Sequence, residues 1–144
     1  MVGAVIFLVE IFLLTAAGII GYYFLIKFSE QRKALSVVKG KPRRLKMLNT
    51  TRTPKTVIND IVQFAQGSRY LIEDIDESKG RLILSSPFNH LTWGFFYPIY
   101  ISSQLNENTL VEVGIQSKLY QIGPLVWKDH QRIFDSIKRA VGEN

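Results

Sequence analysis

A long apolar run at the amino terminus constrains this chain more than any other feature. Val2 to Ile26 contains a single charged side chain, Glu10. A helix of this length reaches about 37 Å, at about 1.5 Å per residue, and so exceeds a hydrocarbon core of about 30 Å. Tyr22 and Tyr23, near its end, are typical of the aromatic belt at a membrane interface. The run therefore predicts a transmembrane helix over residues 2–27.

A cleaved signal peptide is the alternative to a membrane anchor. Such a peptide has a basic start, an apolar stretch of about 7–15 residues and small residues at its cleavage site. Here no Lys or Arg precedes the apolar run, and bulky Tyr22, Tyr23 and Phe24 stand where small residues are needed. We therefore expect the span to be retained.

The charge that follows the run predicts its orientation. Between Lys27 and Lys55 there are ten Lys and Arg, opposed only by Glu30. Residues 56–144 carry 8 basic and 10 acidic side chains, so the net charge of +6 comes from the linker and not from the domain. Positive loops stay on the cytoplasmic side. We expect the amino terminus outside and the carboxyl-terminal domain in the cytoplasm, or on the equivalent inner side of an organellar membrane.

The basic juxtamembrane linker, residues 28–52, predicts contact with anionic lipid headgroups. Each Lys or Arg close to such a surface is attracted by about 1 kcal/mol. Nucleic-acid binding adds aromatic stacking groups to its charge, and residues 29–55 contain none, so nucleic acid is not an expected partner. Beyond Pro42 the linker is predicted to be irregular. The predicted lipid contacts are Lys27, Arg32, Lys33, Lys39, Lys41, Arg43, Arg44 and Lys46.

Glu10 lies inside the predicted span, where a carboxylate is costly and usually faces protein or water. At helical spacing it shares one stripe with Gly3, Ala17 and Gly21. Small residues allow a second helix to approach closely. The stripe predicts a transmembrane contact with an integral membrane protein complex or with a second copy of this chain; an incidental Glu is the alternative.

Residues 53–144 have the pattern of a small cytoplasmic α+β domain. Thr53-Pro54 predicts the start of a helix that ends at Gly67. Four strand-like segments follow, residues 70–75, 81–86, 93–103 and 109–117, and a final helix opens at Pro124. This order predicts an antiparallel four-stranded sheet (α-β-β-β-β-α) with both helices on one face. A partner or ligand would bind on the free face, or in the groove between sheet and helices.

A resemblance supports this fold. It is carried by the segments TPKTVINDIVQFAQ, YLIEDIDESKGRLILSS, LVEVGIQSK and DHQRIFDSIKRAV. Residues 54–141 resemble a family of uncharacterised bacterial α+β domains, in which a P-x-x-V helix leads into strands and then an N..RI..F...L helix. The resemblance implies a helix, four strands and a helix. That family has no assigned activity, so the resemblance implies no chemistry.

Residues that carry chemistry are few and dispersed. The absence of Cys excludes disulfides, thiolate metal sites and cysteine catalysis. His130 lies on the apolar stripe of the last helix and is predicted to be packed, whereas His90 lies in a predicted turn. An enzyme would need groups such as His90, Tyr100 and Glu112 to converge in a cleft. We expect no catalytic, cofactor-binding or metal-binding residue, and hence a protein that is not an enzyme.

Aromatic residues are concentrated in the third predicted strand. Alternation places them on both of its faces, which permits two interpretations: a central strand covered on both sides, or an exposed surface that docks on a membrane or partner. Pro98 is more typical of an edge strand and therefore favours docking. The predicted docking surface is Trp93, Phe95, Phe96, Tyr97 and Tyr100.

The sequence therefore predicts a single-pass, membrane-anchored, non-enzymatic interaction module, an accessory or assembly factor of a larger membrane protein complex. The alternative is a membrane-tethered domain that binds lipid or a hydrophobic ligand. Its pocket would lie between the sheet and the last helix, around Trp127 and Phe134.

Overall fold

The computed structural model describes residues 2–89, 91–105 and 107–143. An apolar helix precedes an antiparallel α+β domain, so the predicted fold class is confirmed. The helices are α1 (Val2–Gln31), α2 (Ala34–Val37), α3 (Pro54–Gln66) and α4 (Pro124–Ala140). The strands are β1 (Leu45–Thr50), β2 (Leu71–Asp76), β3 (Arg81–Ser85), β4 (Phe95–Ser103), β5 (Thr109–Gly114) and β6 (Gln116–Ser117), with a 3₁₀ turn at Glu77–Lys79.

Helix α1 is apolar along most of its length, and its most apolar stretch contains no buried residue. Ile6–Ser29 is long and apolar enough to cross a membrane, with a mean hydropathy of 2.0. Length and composition fit a membrane anchor or a signal sequence equally well. The 30 residues of α1 extend about 45 Å, so most of the helix projects beyond the domain.

The sheet has the strand order β1-β5-β4-β3-β2, and every neighbouring pair is antiparallel. The short strand β6 pairs with the beginning of β4. The four predicted strands are present, but the sheet gains β1 at one edge, and a break after Gly114 separates β6 from β5.

Strand β1 corrects the prediction that the linker is irregular beyond Pro42. It pairs with β5 from Leu45 to Thr50. Its helix-facing positions are Lys46, Leu48 and Thr50, of which only Leu48 is apolar. The alternation is therefore too weak to predict a strand, and β5 supplies the pairing that the local sequence does not signal.

Helices α3 and α4 pack on one face of the sheet, as predicted. Thr53 caps α3 by accepting a hydrogen bond from the Thr56 backbone N–H at 3.3 Å. The side chains between the layers are fully buried, and each contributes about 1.5–3 kcal/mol relative to an exposed position. They include Val57, Ile61, Tyr97, Ile99, Ile133 and Ile137.

The second face of the sheet was predicted to be free, and this is wrong for its central strands, because the chain between α1 and β1 lies across them. Met47 of β1 and Leu71 of β2, at the two edges, are exposed. Ala34 and Val38 are buried against Ile83 of β3 and Phe96 of β4. The Gln116 side-chain amide donates to the Val37 carbonyl at 2.7 Å. The start of the basic linker is therefore part of the fold and not a loose tether.

The same cover continues to Pro42. A Cβ atom on Gly114 would lie 2.4 Å from Pro42 Cγ, so glycine is required for the ring to reach the sheet. Lys41 forms an ion pair with Glu112, which is otherwise buried. This part of the second face closes over apolar side chains and a paired charge.

Pro98 lies in a central strand, contrary to the prediction of an edge. On one side it is in register with Ile83 of β3. On the other side the register with β5 ends at Ile99 and the register with β6 begins at Phe96, so Pro98 lies opposite the break. A residue without a backbone N–H is tolerated at such an interruption.

Candidate functional site

The end of α1 contacts the domain directly. The Tyr22 ring lies 5.9 Å from that of Phe88 and 6.0 Å from that of Trp93, measured between ring centroids. Phe88 and Trp93 contact each other at 5.5 Å. Aromatic pairs at these separations contribute about 0.5–1.5 kcal/mol each beyond their buried area. Phe88 and Trp93 therefore pack against the side of α1.

Two hydrogen bonds extend this contact. Ser29 is fully buried, and its hydroxyl donates to the Trp93 carbonyl at 2.6 Å. The Arg32 guanidinium donates to the Lys118 carbonyl at 2.8 Å. Aromatic, hydroxyl and guanidinium contacts thus hold α1 against the domain over about three turns.

The predicted aromatic docking surface is wrong for its three middle members. Phe95, Phe96 and Tyr97 are fully buried, because helices cover one face of β4 and the juxtamembrane segment covers the other. Trp93 is half-buried beside Tyr22. Tyr100 is half-buried on the second face, where Lys41 lies over its ring.

The predicted lipid-contact residues divide into two groups. Arg32, Lys41 and Lys46 are engaged within the protein, through the Lys118 carbonyl, Glu112 and the Gln131 side chain respectively. The remaining predicted contacts are exposed: Lys27, Lys33, Lys39, Arg43 and Arg44.

A cleft of about 440 Å³ lies at the edge of the domain, between the start of β1 and α4. Arg44 lies over the Trp127 ring at 5.6 Å from its centroid. The alternative prediction placed a pocket around Trp127 and Phe134. Trp127 does line the cleft, whereas Phe134 is covered by Lys46 at 5.6 Å. The cleft is basic and aromatic, and it lies outside the buried core.

His130 forms the inner wall of this cleft and is buried, as predicted. Its Nε2 lies 2.8 Å from the Val113 carbonyl oxygen, an arrangement that requires a proton on Nε2. Burial lowers the pKa of His130, and the hydrogen bond to the Val113 carbonyl opposes this effect. Lys46 and Arg44 lower the pKa further, and Asp129 raises it by less.

This environment predicts that acid destabilises the domain. Because the pKa of His130 is lower in the fold than its ordinary value of about 6.5, the unfolded chain binds more protons between the two values. The stability is fully present above about pH 6.5 and falls as the pH drops below it, by up to about 1.4 kcal/mol per pH unit. We expect denaturant unfolding between pH 7.5 and 5.5 to show this loss, and His130→Gln to reduce the slope. An unchanged slope in the variant would contradict the assignment.

A buried polar cluster joins α4 to β4, and the sequence did not reveal it. The Tyr97 hydroxyl donates to the Asp129 carboxylate, and the Ser86 hydroxyl lies 3.1 Å from the Tyr97 oxygen. Arg132 and Arg69 approach the same carboxylate at 3.4 Å and 3.8 Å. Burial, and then Asp129, raise the pKa of Tyr97 far above its ordinary value, so the phenol stays a hydrogen-bond donor. The sequence signal for this cluster was the position of Asp129, which is three residues after Val126 and four before Ile133 and therefore lies on the same inward face of α4.

The structure describes two of the three groups that an enzyme was predicted to need. Tyr100 and Glu112 are register partners on the second face, where Lys41 covers them. His90 lies outside the described residues. Among residues 2–89, 91–105 and 107–143, no group of three or more His, Asp or Glu is placed to hold a metal ion.

The predicted helix-contact stripe lies on α1. Glu10, Ala17 and Gly21 are exposed, and Gly3 belongs to the same helix. A Cβ atom added at Gly21 would meet no atom of the described chain within 4 Å. The stripe is therefore open to a second helix.

Four exposed apolar side chains lie beside the α1 contact, and the sequence analysis did not single them out. They occupy the loop 87–94, the segment 118–123 and the first turn of α4. Loops have no periodicity from which exposure can be predicted. We refer to them as the apolar tip: Leu91, Tyr120, Ile122 and Leu125, with exposed fractions of 73%, 88%, 75% and 45%.

Comparison with known proteins is consistent with this fold. No protein-family model matches the chain, and no curated protein matches it. The crystal structure of Ara h 8.0201 is similar over 68% of this chain and 93% of that chain, with a TM-score of 0.52 and 9% identity. At this identity the likeness shows the fold alone.

Two further solved structures are similar at lower scores. The vertebrate conserved region of human METTL16 has 18% identity and a TM-score of 0.42, covering 83% of this chain and 92% of that chain. A DUF4468 family protein from Bacteroides ovatus has 11% identity and a TM-score of 0.40, covering 79% and 97%. Scores below 0.5 carry no argument about function. The α+β domain implied by the sequence resemblance is present.

Proposed function

We propose that this protein is a single-pass, membrane-anchored, non-enzymatic interaction module that serves as an accessory or assembly factor of a larger membrane protein complex. The observation that carries the proposal is the docking of α1 on the domain through Tyr22 and Ser29, continued by Arg32 directly after the helix. A helix joined to its domain in this way transmits position between the membrane and the cytoplasmic side, which a flexible tether does not do.

The helix supplies the partner contact in this proposal. The exposed stripe of Glu10, Ala17 and Gly21 offers close backbone approach and one carboxyl group. A partner helix that hydrogen-bonds Glu10 would relieve the cost of placing that group in lipid. The partner is an integral membrane protein or a second copy of this chain.

A second candidate function is the binding of lipid or a hydrophobic ligand. The 440 Å³ cleft favours it, because Trp127 offers an apolar surface beside the exposed cations Arg43 and Arg44. That combination suits a molecule with an apolar body and an anionic group.

The test is purification of the full chain in mild detergent, with bound proteins and lipids both identified. We expect a membrane protein to copurify with the native chain, to be lost with Glu10→Leu and to be kept with Glu10→Gln, which retains a hydrogen-bonding side chain. Copurification of lipid alone, unchanged by Glu10→Leu, would favour the second candidate. Recovery of the native chain with no protein partner would overturn the first.

A further inference from the structure

We propose that the domain rests on the membrane surface through its apolar tip, with anionic phospholipid as the partner. This inference rests on the membrane anchorage in the proposed function. It assigns to Leu91, Tyr120, Ile122 and Leu125 a role in holding one end of the domain in the bilayer interface.

The apolar tip lies on the chain segments that also make the contact between α1 and the domain. Leu91 lies in the loop between Phe88 and Trp93, which both touch Tyr22. Leu91 and Leu125 line one groove. The segment that carries Tyr120 and Ile122 begins at Lys118, whose carbonyl accepts from Arg32, and ends at the first turn of α4.

The position of Tyr22 along the apolar helix determines how deep the apolar tip lies relative to the membrane. The twenty residues that span a hydrocarbon core, at about 1.5 Å each, end at Gly21 when they are counted from the start of α1 and at Leu25 when they are counted from Ile6. Tyr22 therefore lies at the interface or within one turn of it, and so do Phe88 and Trp93 beside it. Trp and Tyr are enriched at this depth. Leu91, between the two rings in sequence, is held at the same level.

The charge around the tip complements an anionic surface. Residues 87–94 and 119–127 contain no Asp, Glu, Lys or Arg. Asp129, which lines the groove with Leu91 and Leu125, is buried and paired with Arg132. The exposed cations next to these segments are Lys128, which follows the second one, and Arg44, which lies over the Trp127 ring. Each contributes about 1 kcal/mol near an anionic leaflet. An uncharged apolar centre with a cationic rim is the pattern of a surface that inserts its apolar side chains between lipid headgroups.

The opposite end of the sheet carries exposed charges of both signs. Strand β4 runs from Phe95, beside the α1 contact, to Ser103, a distance of about 26 Å at about 3.3 Å per residue. The exposed charged side chains around the far end are those of Glu77, Glu107, Lys55 and Lys79. Because these charges balance, the far end offers an anionic membrane no excess of cations, in contrast to the apolar tip.

The full chain allows a direct test because it contains no cysteine. Single cysteines at Leu91, Ile122, Leu105 and Leu14 would each carry an NBD fluorophore, and all four positions are exposed, so labelling leaves the fold intact. Leu105 lies in the β4–β5 turn at the far end and is the matched apolar control. Leu14 lies in α1 and reports the anchor itself. The labelled chains are reconstituted in vesicles of equal parts phosphatidylcholine and phosphatidylglycerol.

Quenching by spin-labelled phospholipid gives the result. We expect the labels at 91 and 122 to be quenched at least threefold more strongly than the label at 105, and the label at 14 to be quenched most. If the label at position 14 is quenched but the labels at 91 and 122 are quenched no more than the label at 105, the lipid contact is overturned and the anchor remains in place. Protection of 91 and 122 in native membranes but not in vesicles would identify a protein as the occupant and overturn the proposal. No quenching at 14 would overturn the anchorage itself.

Discussion

Replacing Gly80 by alanine is expected to lower the free energy of unfolding by about 3 kcal/mol or more. Gly80 closes the β2–β3 hairpin with φ +57° and ψ +39°, in the left-handed region, which costs an L-residue about 1–2 kcal/mol. A Cβ atom there would also lie 2.1 Å from the Ile101 carbonyl oxygen. The Ile101 N–H donates to the Gly80 carbonyl at 2.7 Å, so the hairpin cannot shift away from β4 without losing that bond.

Denaturant unfolding of the full chain in detergent micelles measures this effect through the fluorescence of Trp93 and Trp127. Gly67→Ala is the matched control, because Gly67 has φ −89° and its added Cβ would come no closer than 3.7 Å to another atom. We expect that control to change stability by less than about 1 kcal/mol. Equal losses in the two variants would show that backbone geometry at Gly80 is not the cause. For a domain of ordinary stability, about 5–15 kcal/mol, the expected loss is a large fraction.

Local sequence patterns predicted the elements whose stability is itself local. The apolar run and the Thr53-Pro54 cap each determine a conformation within a few residues. The four predicted strands are rich in apolar residues, because their inward positions fill a core and the central ones are covered on both faces. Strand β1 carries one inward apolar side chain, Leu48, and depends on β5 for its pairing. A strand whose formation depends on pairing with a neighbour need not show an alternating apolar pattern in its own sequence.

The segment that covers the second face could not be predicted from the sequence, for a related reason. Phe96, Pro98 and Tyr100 share that face, and their apolar character was visible. What covers them was not, because Ala34 and Val38 lie in a segment dominated by its charges. The charges predicted lipid contact, while two small apolar side chains between them determine the fold. Pro98 misled for the same reason, since only the break between β5 and β6 makes proline acceptable in the centre of the sheet.

The candidate site depended still more on tertiary structure. Tyr22, Phe88 and Trp93 come from segments about seventy residues apart, and nothing in either segment predicts their contact. The apolar tip lies in loops, where exposed Leu or Ile has no periodicity that distinguishes it from a packed side chain. The sequence therefore predicted an apolar helix that could serve as an anchor, whereas the apolar tip was found only in the structure.

Placing aspartate at Ala34 is expected to release the juxtamembrane segment and to raise its tryptic cleavage rate at least tenfold. Ala34 is buried against Ile83 and Phe96, where an unpaired carboxylate costs several kcal/mol. Proteolysis follows the population of the open form, and about 1.4 kcal/mol corresponds to a tenfold change in that population. The released segment exposes trypsin sites that include Lys33 and Lys39.

Leu35→Asp is the control that separates burial from charge. Leu35 is 57% exposed on the same turn, so the variant adds the same charge beside Lys33 without entering the apolar contact. We expect the cleavage rate of Leu35→Asp to stay within about twofold of the native rate. In Ala34→Asp the earliest cleavage should occur at sites that precede Leu45 in the sequence, while sites in α4 are still protected. Equal acceleration in both variants would mean that the segment is not held on the sheet. Because the segment connects α1 to the domain, its attachment fixes the distance between them, and its release would leave a flexible connection.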